Sequence, residues 1–250
     1  RRLIEVGNIF FNGVSAALAK ITTLTCMFFG AISGSAVATT SAIGGFMIPA
    51  MKEEEYDEAF AAALAAASGI IGVIIPPSIS FVIYGFVSGT SITALFKAGL
   101  LPGIMMGIAL MITSHILCKK NGWGVKKQRE KLSKRYILET LKEGFWAILS
   151  PLIILGGIYF GYFTPTEAAV VSVFYSLIIG KFVYKELDNK AIYKALKDTI
   201  LVNGATSFMI GLSTAFAAYL TIARIPVMIG DGLLSFTSNA FLILLIINLL

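Results

Sequence analysis

The chain has 250 residues, of which 57% are hydrophobic and only 14% charged, about half the charge of an ordinary soluble domain. Together with a mean hydropathy of +0.84, that composition excludes a water-soluble globular domain. The net charge of +6 reads as basic loops on one side of a membrane, not as a nucleic-acid surface.

Residues 1–20 form an amphipathic start framed by Arg1, Arg2 and Lys20. Residues 21–51 then contain no Asp, Glu, Lys or Arg, which is long for one membrane crossing and short for two with a turn. Their middle, FFGAISGSAVATTS, sets glycines and hydroxyls at what would be mid-membrane depth. The pattern predicts a re-entrant hairpin, two half-helices meeting at a non-helical tip near Ser33–Ala36. Such backbone is tolerated at that depth only inside protein or beside a water-filled cavity. A hairpin returns to its starting side, so Lys20 and Lys52 share the cytoplasmic face.

Residues 59–96 are also free of charge. A helix begun by AFAAALAAASGIIGVII meets Pro76 and Pro77 and must break, because Pro lacks an N–H and clashes with the preceding turn. SISFVIYGFVSG continues the crossing, and a loop with a short helix is expected at about 90–97. Further helices are expected at about 98–118, 143–162, 165–183 and 196–222. The segment 119–135 holds eight Lys/Arg against Glu130 alone, and 181–198 holds five Lys against three acids. Counting Lys and Arg puts both segments in the cytoplasm, with Trp123 and Trp146 at the same inner interface. No alternating barrel pattern is present, so the spans are helices.

The chain opens at Arg1 without Met and stops in an apolar run, which reads as an internal stretch of a longer protein. Cys26 and Cys118 lie in or at the end of apolar runs and read as unpaired small hydrophobes. His115, the single histidine, reads as structural. No phosphate-binding loop, HExxH or nucleophile with a base is visible, so neither an enzyme nor a transition-metal site is expected.

Three groupings carry possible chemistry. Ser33 to Thr40, SGSAVATT, offers hard oxygen ligands for a small cation at the hairpin tip, and free N–H groups for an anion where the second half-helix begins. The alternative is tight packing by small residues. Unwinding at Pro76–Pro77 frees carbonyls around Gly72 to Ile75, with Ser78 and Ser80 adding hydroxyls. Broken helices near the midplane are where secondary transporters build their sites. Lastly, Glu167 either stabilises a helix start capped by Thr164 or Thr166 or is a functional acid, and Arg224 either snorkels to an interface or attracts an anion.

FGAISGSAVATTSAIGGFMIPAMKEEEYDEAFAAALAAASGIIGVIIPPSISFVIYGFVSGTSITALFKAGLLPGIMMG resembles the large membrane subunit of tripartite ATP-independent periplasmic (TRAP) transporters, of the DctM or sialic-acid type. ILGGIYFGYFTPTEAAVVSVFYSLIIGKFVYKEL and ATSFMIGLSTAFAAYLTIARIP resemble the same subunit, in family order. The GxSGSA, IPPS and TPTEA segments together carry the likeness. It implies an all-α polytopic membrane protein of the bacterial inner membrane, an elevator-type transporter built as inverted repeats. The implied activity is sodium-coupled import of an organic acid such as a C4-dicarboxylate or sialic acid. The implied partners are a small TRAP membrane subunit and a periplasmic substrate-binding protein. The other reading is a stand-alone sodium/carboxylate symporter of another elevator family.

By position, the resemblance makes 1–20 an arm helix and 21–88 part of a transport domain, with the hairpin at 21–51 and the broken helix at 56–88. Scaffold-type helices with their basic loops fill 89–198. An outward helix and second arm occupy 199–238, and a second hairpin starts at 239–250. The resemblance further implies a Na+ site from Ser33, Gly34, Ser35, Gly72, Ile75 and Pro77, and a substrate site from Ser35, Thr39, Thr40, Ser80 and Arg224. Glu167 is carried over as a functional acid. Family members often have Asp or Asn where this chain has Thr39 and Thr40. A second sodium site would lie outside these residues.

Overall fold

The structure, a computed structural model, describes residues 2–124 and 133–249. Those residues are helical apart from short connections, with no strand among them. Chain packing divides them into two units, up to Tyr184 and from Lys185 onward.

In the first unit, α1 (Arg2–Phe11) is followed by α2 (Ala17–Ser33) and α3 (Ala36–Glu53). The amphipathic start is therefore not one helix over 1–20. It breaks between Phe11 and Ala17, where Gly13 and Ala16 adopt positive φ. α1 is wedged between α2 and the later helix α7 (Lys134–Tyr159). A β-carbon on Gly7 would stand 3.1 Å from Ile21, and one on Gly144 would stand 2.5 Å from Val6.

α2 and α3 run antiparallel. Gly34 ends α2 at φ +63°, its N–H donating to the Gly30 carbonyl, a reversal that glycine makes without a steric cost. Ser35 caps α3 by accepting from the Ala38 N–H at 3.3 Å. The far ends of the pair meet in an apolar cluster of Ala16, Ala19, Met51, Tyr56, Ala61, Leu64 and Cys118. There Trp123 stacks on Phe60 with ring centroids 5.1 Å apart, and the Ala16 N–H donates to the Gly124 carbonyl at 3.1 Å. Burial in this cluster pushes the Tyr56 phenol well above the usual tyrosine range. Cys26 and Cys118 are both free and buried.

α4 (Glu58–Ile70) starts at Asp57, whose carboxylate accepts from the Phe60 N–H at 2.7 Å. It tightens into a 3₁₀ turn over Ile71–Val73, and the chain resumes as α5 (Ile79–Ser88). Gly89 ends α5 at φ +71°, and Ser91 at once caps α6 (Ile92–Asn121) through the Ala94 N–H. The short outer helix expected at 90–97 is instead the first turn and a half of α6, because a serine N-cap outweighs the lone Lys97 as a structural signal. Gly99, Gly103 and Gly107 line one face of α6 and seat Phe81 with Ile74, Ile75 and Met27 respectively. One turn before Gly99 on the same stripe, Phe96 is buried in a cluster with Ile154, Ile158 and Ala168 of α7 and α8 (Pro165–Ile178), against which Phe81 also packs. By packing, α6 lies mainly against α2 and the broken helix, and less against α7.

α7 starts at Lys134, capped by Ser133, nine residues before the expected start at 143. Of the expected basic loop 119–135, Lys119 and Lys120 lie in the last turn of α6, Lys134 and Arg135 in the first turn of α7, and 125–132 lie outside the described residues. α8 runs on into a π turn over Ile179–Val183.

The second unit begins at Lys185. α9 (Asn189–Ile222) is capped by Asp188, so the expected loop 181–198 is mostly helical. Its 34 residues extend for about 50 Å, well beyond the hydrocarbon thickness, so charged turns at its start protrude from the membrane. Thr199, Thr206, Thr214 and Thr221 each donate to the carbonyl four residues back at 2.7–2.8 Å, which satisfies the hydroxyls inside an apolar helix. α10 (Ile225–Phe236) and α11 (Ala240–Leu249) follow.

Among the described residues, four stretches are long and apolar enough to cross a membrane: Ile92–Asn121, Arg135–Tyr159, Pro165–Val183 and Asn189–Ile222. Large apolar side chains such as Phe86 and Ile222 are more than 80% exposed. Apolar surface on that scale is stable only against lipid or other protein.

Candidate functional site

The two helix interruptions in the first unit meet each other. The Ile79 N–H, at the start of α5, donates to the Gly34 carbonyl at 3.3 Å. A β-carbon on Gly34 would stand 2.6 Å from the Pro77 carbonyl oxygen, and one on Gly30 would stand 2.6 Å from the Gly72 Cα. A β-carbon on Gly69 would run into the Thr40 hydroxyl, and one on Gly72 would come within 2.6 Å of the Thr39 hydroxyl and 3.1 Å of the Ser35 carbonyl. Backbone can approach backbone this closely only because four glycines line the seam.

The tip itself is a hydroxyl network. The Thr39 hydroxyl donates to the Ser35 carbonyl at 2.7 Å and lies 3.0 Å from the Ser33 hydroxyl. The Ser35 N–H reaches the Ser33 oxygen at 3.4 Å. Ser33, Gly34, Ser35, Gly72 and Pro77 are thus gathered in one place, all of them buried or half-buried. Hydroxyl and carbonyl oxygens gathered in this way suit a hard cation.

The remaining predicted residues are placed differently. Ile75 donates its N–H to the Ile71 carbonyl, and its side chain is buried with Ala31 and Ile71. Thr39 is fully buried with its hydroxyl engaged inside the tip, so a solute cannot reach it in this conformation. Thr40 is half-buried against Gly69. Ser80 is exposed on the first turn of α5. Arg224 lies in the second unit, exposed in the left-handed turn that joins α9 to α10, its N–H donating to the Thr221 carbonyl at 3.1 Å. Glu167 closes a capping box. Its carboxylate accepts from the Thr164 N–H and hydroxyl, both at 2.8 Å, while its own N–H returns to the Thr164 oxygen at 3.3 Å. The helix start therefore already occupies this acid, and the cap is Thr164 rather than Thr166.

Ser78 is the residue that joins the halves of the broken helix. Only 1% exposed, it donates to the Val73 carbonyl at 2.7 Å and accepts from the Phe81 N–H at 3.3 Å. A serine between two prolines and an apolar run is an N-cap signal that favours Ser78 over Ser80. Gly30 and Gly69 had no comparable signal, because their role depends on what packs against them.

The family model described as "Tripartite ATP-independent periplasmic transporter, DctM component" matches residues 1–250. The chain belongs to this TRAP transporter family. It is 41% identical over 250 residues to the isethionate TRAP transporter permease protein DctMQ of Oleidesulfovibrio alaskensis, covering 100% of this chain and 39% of that protein. The sialic acid TRAP transporter large permease protein SiaM of Vibrio cholerae is 39% identical over 249 residues, covering 100% of this chain and 58% of that one. The C4-dicarboxylate TRAP transporter large permease protein DctM of Pseudomonas aeruginosa is 36% identical over 251 residues, with 100% and 58% covered. The chain thus spans 39–58% of the length of these relatives. These relatives are named as transporter permeases, not as enzymes.

Proposed function

We propose that this chain is part of a permease that imports an organic acid by secondary transport, coupled to sodium and fed by a periplasmic substrate-binding protein. A small TRAP membrane subunit completes the membrane complex, in the bacterial inner membrane. Sialic acid and C4-dicarboxylate, in two of the relatives' names, are carboxylates, and isethionate is a sulfonate, so an organic anion is the class they share. The observation that carries the reading is the meeting of the α2–α3 tip with the interrupted helix, where hydroxyl and carbonyl oxygens gather.

Sodium would bind among the Ser33 hydroxyl and the carbonyls near Gly72 and Pro77, with Gly34, Ser35 and Ile75 shaping the backbone. Its charge would draw a carboxylate to the mouth of the seam, where Ser35, Thr40 and Ser80 lie. Arg224 is a further cation for the solute, and Glu167 completes the capping box of α8. Binding of one ligand favours the other, which is positive coupling. The seam and α6 would then move as one body past the remaining helices in an elevator step, with inverted repeats supplying the second half of the transport unit. Close glycine packing of α6 on Ile74, Ile75 and Met27 supports including it in that body.

The test is uptake of labelled organic acids into proteoliposomes holding the full-length permease and its small subunit, with and without the binding protein and an inward sodium gradient. Uptake that needs both, and is lost in Ser33→Ala or Ser35→Ala, is the expected result. Uptake without the binding protein would point to a stand-alone symporter, and equal uptake without sodium would remove the coupling.

A further inference from the structure

We propose that Thr39 is a positioning residue for the cation and not a contact for the solute, an inference that rests on the tip being a sodium site. Each hydroxyl has one proton to give and two lone pairs to offer. Thr39 back-bonds to the Ser35 carbonyl at 2.7 Å, the shortest hydrogen bond in the tip, so its proton is committed there. The 3.0 Å bond between Thr39 and Ser33 must then carry the Ser33 proton toward Thr39. Ser33 is left as an acceptor, with the Ser35 N–H at 3.4 Å on one lone pair and the other open, which is the state a cation requires. Without the Thr39 oxygen, the nearest acceptor for the Ser33 proton within the tip is the Ser35 carbonyl at 3.4 Å, too long for a good O–H···O bond.

Two observations support this assignment. Thr39 is 0% exposed, so neither water nor solute competes for its hydroxyl. Gly72 of the 3₁₀ turn packs over the same oxygen, where a β-carbon would come within 2.6 Å. The turn therefore holds the Thr39 hydroxyl in place, and the Thr39 hydroxyl orients Ser33.

The test compares Thr39→Val, which keeps the shape and removes the oxygen, with Thr39→Ser, which keeps the oxygen, in the full-length permease with its small subunit. Sodium-dependent thermal stabilisation and the sodium dependence of uptake are measured for each. Thr39→Val is expected to raise the sodium concentration for half-effect about tenfold, the scale of one lost hydrogen bond. The solute KM at saturating sodium should stay unchanged, and Thr39→Ser should restore the sodium response. If Val is not tolerated, Thr39→Ala makes the same comparison. A raised solute KM with an unaltered sodium response would overturn the proposal in favour of solute contact, and equal behaviour of Val and Ser would overturn it by showing that the hydroxyl is irrelevant. A wild-type protein with no sodium response, or one whose response survives Ser33→Ala, would instead remove the sodium site itself.

Discussion

The two ends of the α2–α3 pair are built on opposite principles. At the base, Ala16, Ala19, Met51, Tyr56 and Cys118 pack as an apolar core, with Trp123 and Phe60 stacked at its edge. At the tip the apolar core narrows to Ala31, Ile71 and Ile75. Glycines let backbone touch backbone, and hydroxyls bond to one another and to carbonyls. Apolar packing gives a base whose stability does not depend on any solute. A seam of polar groups has oxygens to offer and little packing energy of its own, so a bound ion can decide its geometry. The pair therefore reads as an anchored end and a responsive end joined by two rigid helices.

If that contrast holds, substitutions at the two ends should fail in different ways. Met51→Ala, at a fully buried base position, is expected to have the largest effect on stability, about 2–5 kcal/mol, while leaving the sodium concentration for half-maximal uptake unchanged. Thermal unfolding of the purified permease and a sodium titration read the two quantities separately. Gly34→Ala adds a β-carbon against the Pro77 carbonyl at φ +63°. It is expected to cost about 1–3 kcal/mol through strain and crowding, and to abolish sodium-driven uptake although the protein still folds. Ser78→Ala removes the cap that ties the two halves of the broken helix. A loss of about 0.5–2 kcal/mol with weakened sodium response is expected, whereas Ser80→Ala should leave stability unaltered. Last, Lys52→Ala breaks an exposed ion pair with Glu58 at 2.8 Å and is expected to change stability by at most about 1 kcal/mol, less at high salt. A base substitution that altered the sodium response, or a tip substitution that altered only stability, would break the comparison.

The interruptions at Gly34–Ser35 and Pro76–Pro77 are legible in the residues, because glycine, proline and serine dictate backbone locally. Helix ends were legible only in part. Charged residues at 119–135 and 181–198 suggest loops, yet Ser133 and Asp188 cap helices that extend beyond the hydrocarbon and carry those charges in water. Ser91 does the same for α6. A capping residue was the better signal in all three places. The pairing of Gly30 with Gly72 and of Gly69 with Thr40 was not legible, since nothing local to a glycine reveals what packs on it. The resemblance to the family implies Thr39 as a solute contact. Its hydroxyl suggests binding, and only its burial against Gly72 and its bonds to Ser33 and Ser35 show that it is already engaged.

The central claim is that the tip and the interrupted helix together hold sodium. A high-resolution map of the full-length permease in sodium, set against one in choline, tests it most directly. The account predicts a compact density peak in the sodium map alone, within coordination distance of the Ser33 hydroxyl and the carbonyls around Gly72 and Pro77. Identical maps, with no peak and an unchanged seam, would contradict it.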